Sequence, residues 1–171
     1  MSTMTDRAQH QPYPGENATP EELFELAEEY RRAAHTLLGI GRRRRPLSRA
    51  PFHLNAIHAI ELYLNSFLLL EGMKAKQLRA LHHNLSARID HELAARLALK
   101  SRTAAHLADV SRKQEYLVSR YGTDRMKSVS EITRLKATLE EIRESVATRL
   151  GVKPGSRRQP SAAELYQVAR G

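Results

Sequence analysis

Residues 51–71 read PFHLNAIHAIELYLNSFLLLE, and the burial this run demands sets the fold. Leu54, Ile57, Ile60, Leu62, Leu64, Phe67, Leu68, Leu69 and Leu70 cover almost the whole circumference of a helix. A helix that is apolar all round is normally enclosed by others, not laid on a surface by one stripe. Asn55, His58, Glu61 and Asn65 place too many polar groups inside the run for a bilayer span. The spacing therefore predicts a buried central helix from about Pro51 to Glu71, stopped by Gly72.

Upstream, Thr19 is an N-cap candidate, Pro20 suits the first helical position and Glu22 completes a Thr-x-x-Glu capping box. Leu23, Leu26, Ala27, Tyr30, Ala33, Ala34, Leu37 and Leu38 recur at helical spacing until Gly39 and Gly41. Residues 1–18 are polar and aperiodic and predict a disordered tail. Downstream, Leu78, Leu81, Leu85, Ile89, Leu93 and Leu97 predict a third helix, although residues 79–84 read equally well as a loop. Leu107, Val110, Leu117 and Val118 predict a fourth, ending near Arg120-Tyr121-Gly122. Ser128 and Glu131 read as a second capping box ahead of Ile132, Leu135, Leu139, Ile142, Val146 and Leu150, with Gly151 and Pro154 as stops. Ser161 and Glu164 begin a short terminal helix carrying Leu165 and Val168. The fold class is all-α: an up-and-down bundle of five main helices (19–151), then a basic tail with a short C-terminal helix (152–171).

The charge is uneven. Net charge is +9 overall, but residues 1–41 hold seven acids and three bases, and residues 42–171 hold twelve acids and twenty-five bases. Such a body favours an anionic partner, RNA or nucleotide first, unless the surplus serves only solubility. Arg42, Arg43, Arg44 and Arg45 are the densest basic contact candidate, or else a solvated linker, since no aromatic residue interleaves for base stacking. Cysteine is absent, so disulfides, thiolate metal sites and a cysteine nucleophile are excluded. The N-terminus lacks an apolar secretory core, and the chain is expected in the cytoplasm without a membrane partner. No phosphate loop, dinucleotide turn, nucleophile elbow or metal-spaced histidine pair appears, so neither metal nor cofactor is expected.

His58, Glu61 and Asn65 fall on one strip of the central helix. A carboxylate there must find a partner or stay protonated. Either a site is built around Glu61, or the strip is a polar network that fixes helix register. Candidate partners for Glu61 are Arg79, His82, His83, Arg120 and Tyr121.

Ala59-Ile60-Glu61-Leu62-Tyr63-Leu64-Asn65, then His83-Asn84-Leu85, then Tyr116 through Arg120-Tyr121, resemble the helix motifs of HEPN domains over about residues 20–150. The resemblance implies an antiparallel helical bundle, often a homodimer. It implies either a ribonuclease of toxin–antitoxin and defence systems or a non-catalytic partner of nucleotidyltransferases or toxins that senses nucleotide or RNA. Ribonuclease members carry an arginine and then a histidine with four to six residues between them. Here Arg79 and His83, like Arg102 and His106, have only three residues between them, no histidine follows His106, and Asn65 stands where the family has lysine. The expectation is accordingly a non-catalytic, HEPN-like binding or regulatory protein. A degenerate metal-independent ribonuclease and a plain helical interaction module are the alternatives.

Overall fold

The computed structural model describes residues 12–152. Among them are eight α-helices and no strand: α1 (Pro20–Ile40), α2 (Ala50–Leu70), α3 (Ala75–Ala80), α4 (Leu85–Arg88), α5 (His91–Arg96), α6 (Ser101–Arg112), α7 (Glu115–Tyr121) and α8 (Ile132–Leu150). The all-α bundle is present. The terminal helix expected at Ser161–Val168 and most of the expected N-terminal tail lie outside the described residues, while residues 14–17 form a turn ahead of α1. No helix among the described residues is long and apolar enough to cross a membrane.

α2 is the hub, with α1, α7 and α8 packed around it. Phe52, Ile57, Ile60, Tyr63, Leu64, Phe67 and Leu68 are all buried along it, each large apolar side chain contributing about 1.5–3 kcal/mol by leaving water. α8 answers with Leu135, Leu139, Ile142 and Val146, the narrow seam its spacing anticipates. The helix stops rest on left-handed glycines at two points. Gly72 (φ +93°) and Gly151 (φ +71°) follow α2 and α8 in a conformation that a side chain would strain.

At the start of α1, Glu22 N–H donates to Thr19 Oγ1 (3.1 Å) and Thr19 N–H to Glu22 Oε2 (2.9 Å), so this capping box forms. Ion pairs then clamp α1 to the rest of the bundle. Arg143 Nε donates to Glu28 Oε1 (2.9 Å), Tyr63 Oη donates to the same oxygen (2.5 Å), and Arg31 and His35 both reach Glu140. Burial pushes the Glu28 carboxyl up, but the hydrogen bonds from Arg143 and Tyr63 outweigh it and hold the group below the usual carboxylate range.

Three local expectations need correction. The third helix is not continuous: of the two readings of residues 79–84 the loop holds at 81–84, where His82 takes a left-handed φ of +48° and Asn84 caps α4, and the pattern breaks again where Asp90 caps α5. The fourth is divided into α6 and α7 at Gln114, also left-handed at φ +51°. The Ser128–Glu131 capping box does not form: Ser128 Oγ donates to the Arg125 carbonyl (2.8 Å), and α8 begins at Ile132 with no side-chain cap.

Candidate functional site

The apolar circumference of α2 leaves Glu61 buried, and the bend after α3 brings two residues to it. His83 Nδ1 lies 3.0 Å from Glu61 Oε2, and Arg88 Nη2 donates to Glu61 Oε1 at 3.2 Å. Arg88 is itself only 2% exposed and is satisfied on every side. Its Nε donates to Asn65 Oδ1 (2.8 Å), its Nη1 to the Asn84 carbonyl (3.1 Å) and its Nη2 also to the His82 carbonyl (2.6 Å). Burial pulls the Arg88 guanidinium below its ordinary value, and the neighbouring Glu61 pushes it back up. Glu61, Asn65 and Arg88 thus form a closed polar knot that ties α2 to the α3–α4 bend.

The knot has one open end. The His83 side chain is 39% exposed, and its ring lies against Tyr116 with centroids 4.7 Å apart and planes 37° apart. Both rings line a cleft of about 410 Å³ whose rim also carries Asn84, Ser86, Arg112 and Gln114. With Nδ1 committed to Glu61, the other ring nitrogen of His83 is the one left for a ligand. The volume suits a small organic molecule, and the wall offers π faces with several neutral donors and acceptors. His58, one turn before Glu61, meets the Tyr30 ring edge-on (4.4 Å). Burial depresses its pKa, opposed by Glu61 and assisted by Arg120 and His83.

No family model matches the chain, no curated protein is significantly similar to it, and no solved structure matches it. The residues of the site therefore carry the functional argument on their own.

Of the partners expected for Glu61, His83 makes the contact. Arg79 does not, which corrects the expectation: its guanidinium lies over the Tyr13 ring (4.7 Å) and faces Glu16 (4.0 Å), pinning the turn before α1. His82 contributes its carbonyl through Arg88, while its side chain is exposed. Tyr121 is 76% exposed at the end of α7, and Arg120 beside it is exposed too. Arg42, Arg43, Arg44 and Arg45 are exposed in the turn before α2. They precede the start of α2 at Ala50, which itself lies about 16 Å along the helix axis from Glu61 at about 1.5 Å per residue. No group of three or more metal-ligating side chains occurs among the described residues.

Arg88 was missed by sequence reasoning, yet it had a signal. Leu85, Arg88 and Ile89 share one helix face, so a cation occupies an otherwise apolar position and needs a buried carboxylate. A second polar cluster was missed entirely. Glu115 is fully buried, its Oε1 accepting from Ser130 N–H (2.9 Å) and Ser130 Oγ (2.8 Å). His106 spans Ser130 Oγ and Thr138 Oγ1, at 2.7 Å from each. Burial, seconded by Arg134, pulls the His106 pKa down to about 4. On the far side, His53 lies between the Arg49 carbonyl (3.0 Å) and the Ser130 carbonyl (2.9 Å). Nothing in a periodicity reading marks residues so far apart in sequence as neighbours.

Proposed function

We propose that the protein is a non-catalytic, HEPN-like binding or regulatory protein that takes a nucleotide, or a nucleotide unit of RNA, in the His83–Tyr116 cleft. The observation that carries this reading is the half-exposed His83 ring, oriented from behind by the buried Glu61 and stacked beside Tyr116. Aromatic and imidazole faces accept nucleobases, and the surrounding Asn84, Ser86 and Gln114 offer groups for base edges. The basic body provides attraction for phosphate at long range.

The non-catalytic half of the proposal rests on Arg88. A ribonuclease of this kind needs a guanidinium free to meet the scissile phosphate beside its histidine. Arg88 spends its donors on Asn65, Asn84, His82 and Glu61 instead, and it is buried, while Arg112 on the cleft rim is paired with Asp109 at 2.8 Å. One observation favours the ribonuclease alternative: a histidine held by a carboxylate is also the arrangement of an oriented general base.

Fluorescence anisotropy at low salt tests both readings, with adenosine 5′-monophosphate as competitor and a short oligoribonucleotide as probe. Wild type is expected to bind both better than an unrelated basic protein of equal charge. His83→Ala is expected to lose at least tenfold in affinity for the mononucleotide, with no RNA cleavage by either protein. Equal affinity for the two variants would remove the cleft as the site, and cleavage abolished by His83→Ala would establish the catalytic reading in its place.

A further inference from the structure

Away from the His83 cleft, two other depressions meet at Val129–Ser130–Glu131. The smaller, about 170 Å³, is flanked by Arg49 and Lys127. The larger, about 650 Å³, is flanked by Arg102, Lys113 and Arg134. The two share those three loop residues, and their linings, taken together as one furrow, reach from the start of α2 across the loop before α8 to α6. Five cations line it against two carboxylates, Asp109 and Glu131, and Asp109 is already paired with Arg112 at 2.8 Å.

The furrow is held in shape from beneath. Ser130 is fixed by Glu115 through Oγ and N–H and by His53 through its carbonyl, while Arg125 Nη2 donates to the Lys113 carbonyl (3.3 Å) and staples the loop to the end of α6. Lys113 and Arg134, both in the lining, act after burial to lower the pKa of His106 on the furrow floor. Neither depression carries a tyrosine, phenylalanine or tryptophan ring in its lining.

From this arrangement we infer that the furrow, which shares α6 with the His83 cleft, binds the phosphodiester backbone of a nucleic-acid strand whose nucleotide unit occupies that cleft. The inference deepens the cleft reading and rests on it. A row of cations whose lining rings, His53 and His106, are buried grips phosphates and leaves base identity unread, the division of labour seen where backbone contacts position a strand and another site reads it. Each phosphate neutralised on a single strand adds about 0.7 to the slope of log affinity against log salt.

The test measures anisotropy of a fluorescein-labelled oligouridylate across a salt series, with uridine 5′-monophosphate titrated separately. Four proteins are compared: wild type, His83→Ala, the furrow triple variant Arg102→Gln/Lys113→Gln/Lys127→Gln, and a control triple variant Arg32→Gln/Lys76→Gln/Lys136→Gln, whose residues line neither depression. The furrow triple is expected to lose at least tenfold in oligomer affinity and about 2 units of salt slope, with mononucleotide affinity unchanged. An oligomer affinity and slope equal to those of the control triple would overturn the furrow while leaving the cleft reading intact. Unaltered mononucleotide binding by His83→Ala, with the furrow triple still impaired, would instead sink the cleft and keep the furrow. Should the triple variant fold poorly, Arg102→Gln and Lys127→Gln, both at exposed positions, are read singly, each expected to lower the slope by about 0.7. No change in slope for either would overturn the proposal.

Discussion

Glu61 in α2 meets Arg88 and His83, whereas Glu115 at the start of α7 meets only the N–H and hydroxyl of Ser130, and its Oε2 has no hydrogen-bond partner among the described residues. Both carboxylates have left water, and the chain answers with different physics. For Glu61 the answer is a buried ion pair, in which Coulomb attraction and hydrogen bonds offset desolvation. For Glu115 it is dipoles: two donated hydrogen bonds and a place at the first position of a helix, where the partial positive charge of the N-terminus favours a carboxylate. The first network ends at a half-exposed histidine in a cleft. The second ends inside, at His106, Thr138 and His53, and holds the loop before α8 against α6. The difference separates a polar cluster that presents a side chain from one that locks a backbone.

The largest expected effect comes from breaking the ion pair. Arg88→Met leaves Glu61 buried without its cation and is expected to cost about 3–5 kcal/mol of stability in denaturant unfolding. Replacing both members, Glu61→Leu with Arg88→Met, is expected to recover most of that loss, because the uncompensated charge is gone. A double variant as unstable as the single one would mean that the pair contributes little and the damage is steric.

Next comes the pH dependence of the second network. The folded-state pKa of His106, about 4, lies below its unfolded value of 6.5, so between these values the unfolded chain binds the extra proton. Stability contributed by neutral His106 is fully present above pH 6.5 and falls as the pH drops toward 4, by at most about 3 kcal/mol. His106→Asn is expected to flatten this dependence relative to wild type, and parallel curves for the two proteins would contradict the assignment. His58, also depressed by burial, adds a slope of the same sign in both proteins and cancels in the comparison.

Ser130→Ala removes the hydroxyl shared by Glu115 and His106 and is expected to cost about 1–3 kcal/mol by leaving buried groups unpaired. The smallest stability effect belongs to His83→Ala, below about 1 kcal/mol, since the ring is part-exposed and Arg88 still pairs with Glu61. A large loss of stability there would place His83 with the structural network and not at the open end of the site.

The central helix was legible because its apolar circumference leaves no choice but enclosure, and Glu61 was legible as the one acid within it. His83 was legible because the chain must return past Glu61 after Gly72. Two breaks were not. Asp90 caps a new helix start inside the expected third helix, and Gln114 turns the chain with positive φ and without glycine or proline inside the fourth, so the apolar spacing runs on across joints that the backbone does not respect. The Ser128–Glu131 pattern failed for a related reason: the hydroxyl found a nearer carbonyl at Arg125. Arg88 was overlooked because an arginine in a helical pattern reads as solvated until its apolar neighbours Leu85 and Ile89 are placed on the same face. Glu115, Ser130 and His106 come together only through tertiary packing.

The central claim is that the Glu61 network presents a ligand-binding ring while the Glu115 network does not. Histidine ring ¹⁵N resonances, followed as adenosine 5′-monophosphate is added, test it most directly. The ring nitrogen of His83 that faces away from Glu61 is expected to shift and saturate, with the His106 resonances unmoved. A stationary His83 resonance, or a shift at His106 instead, would contradict the account.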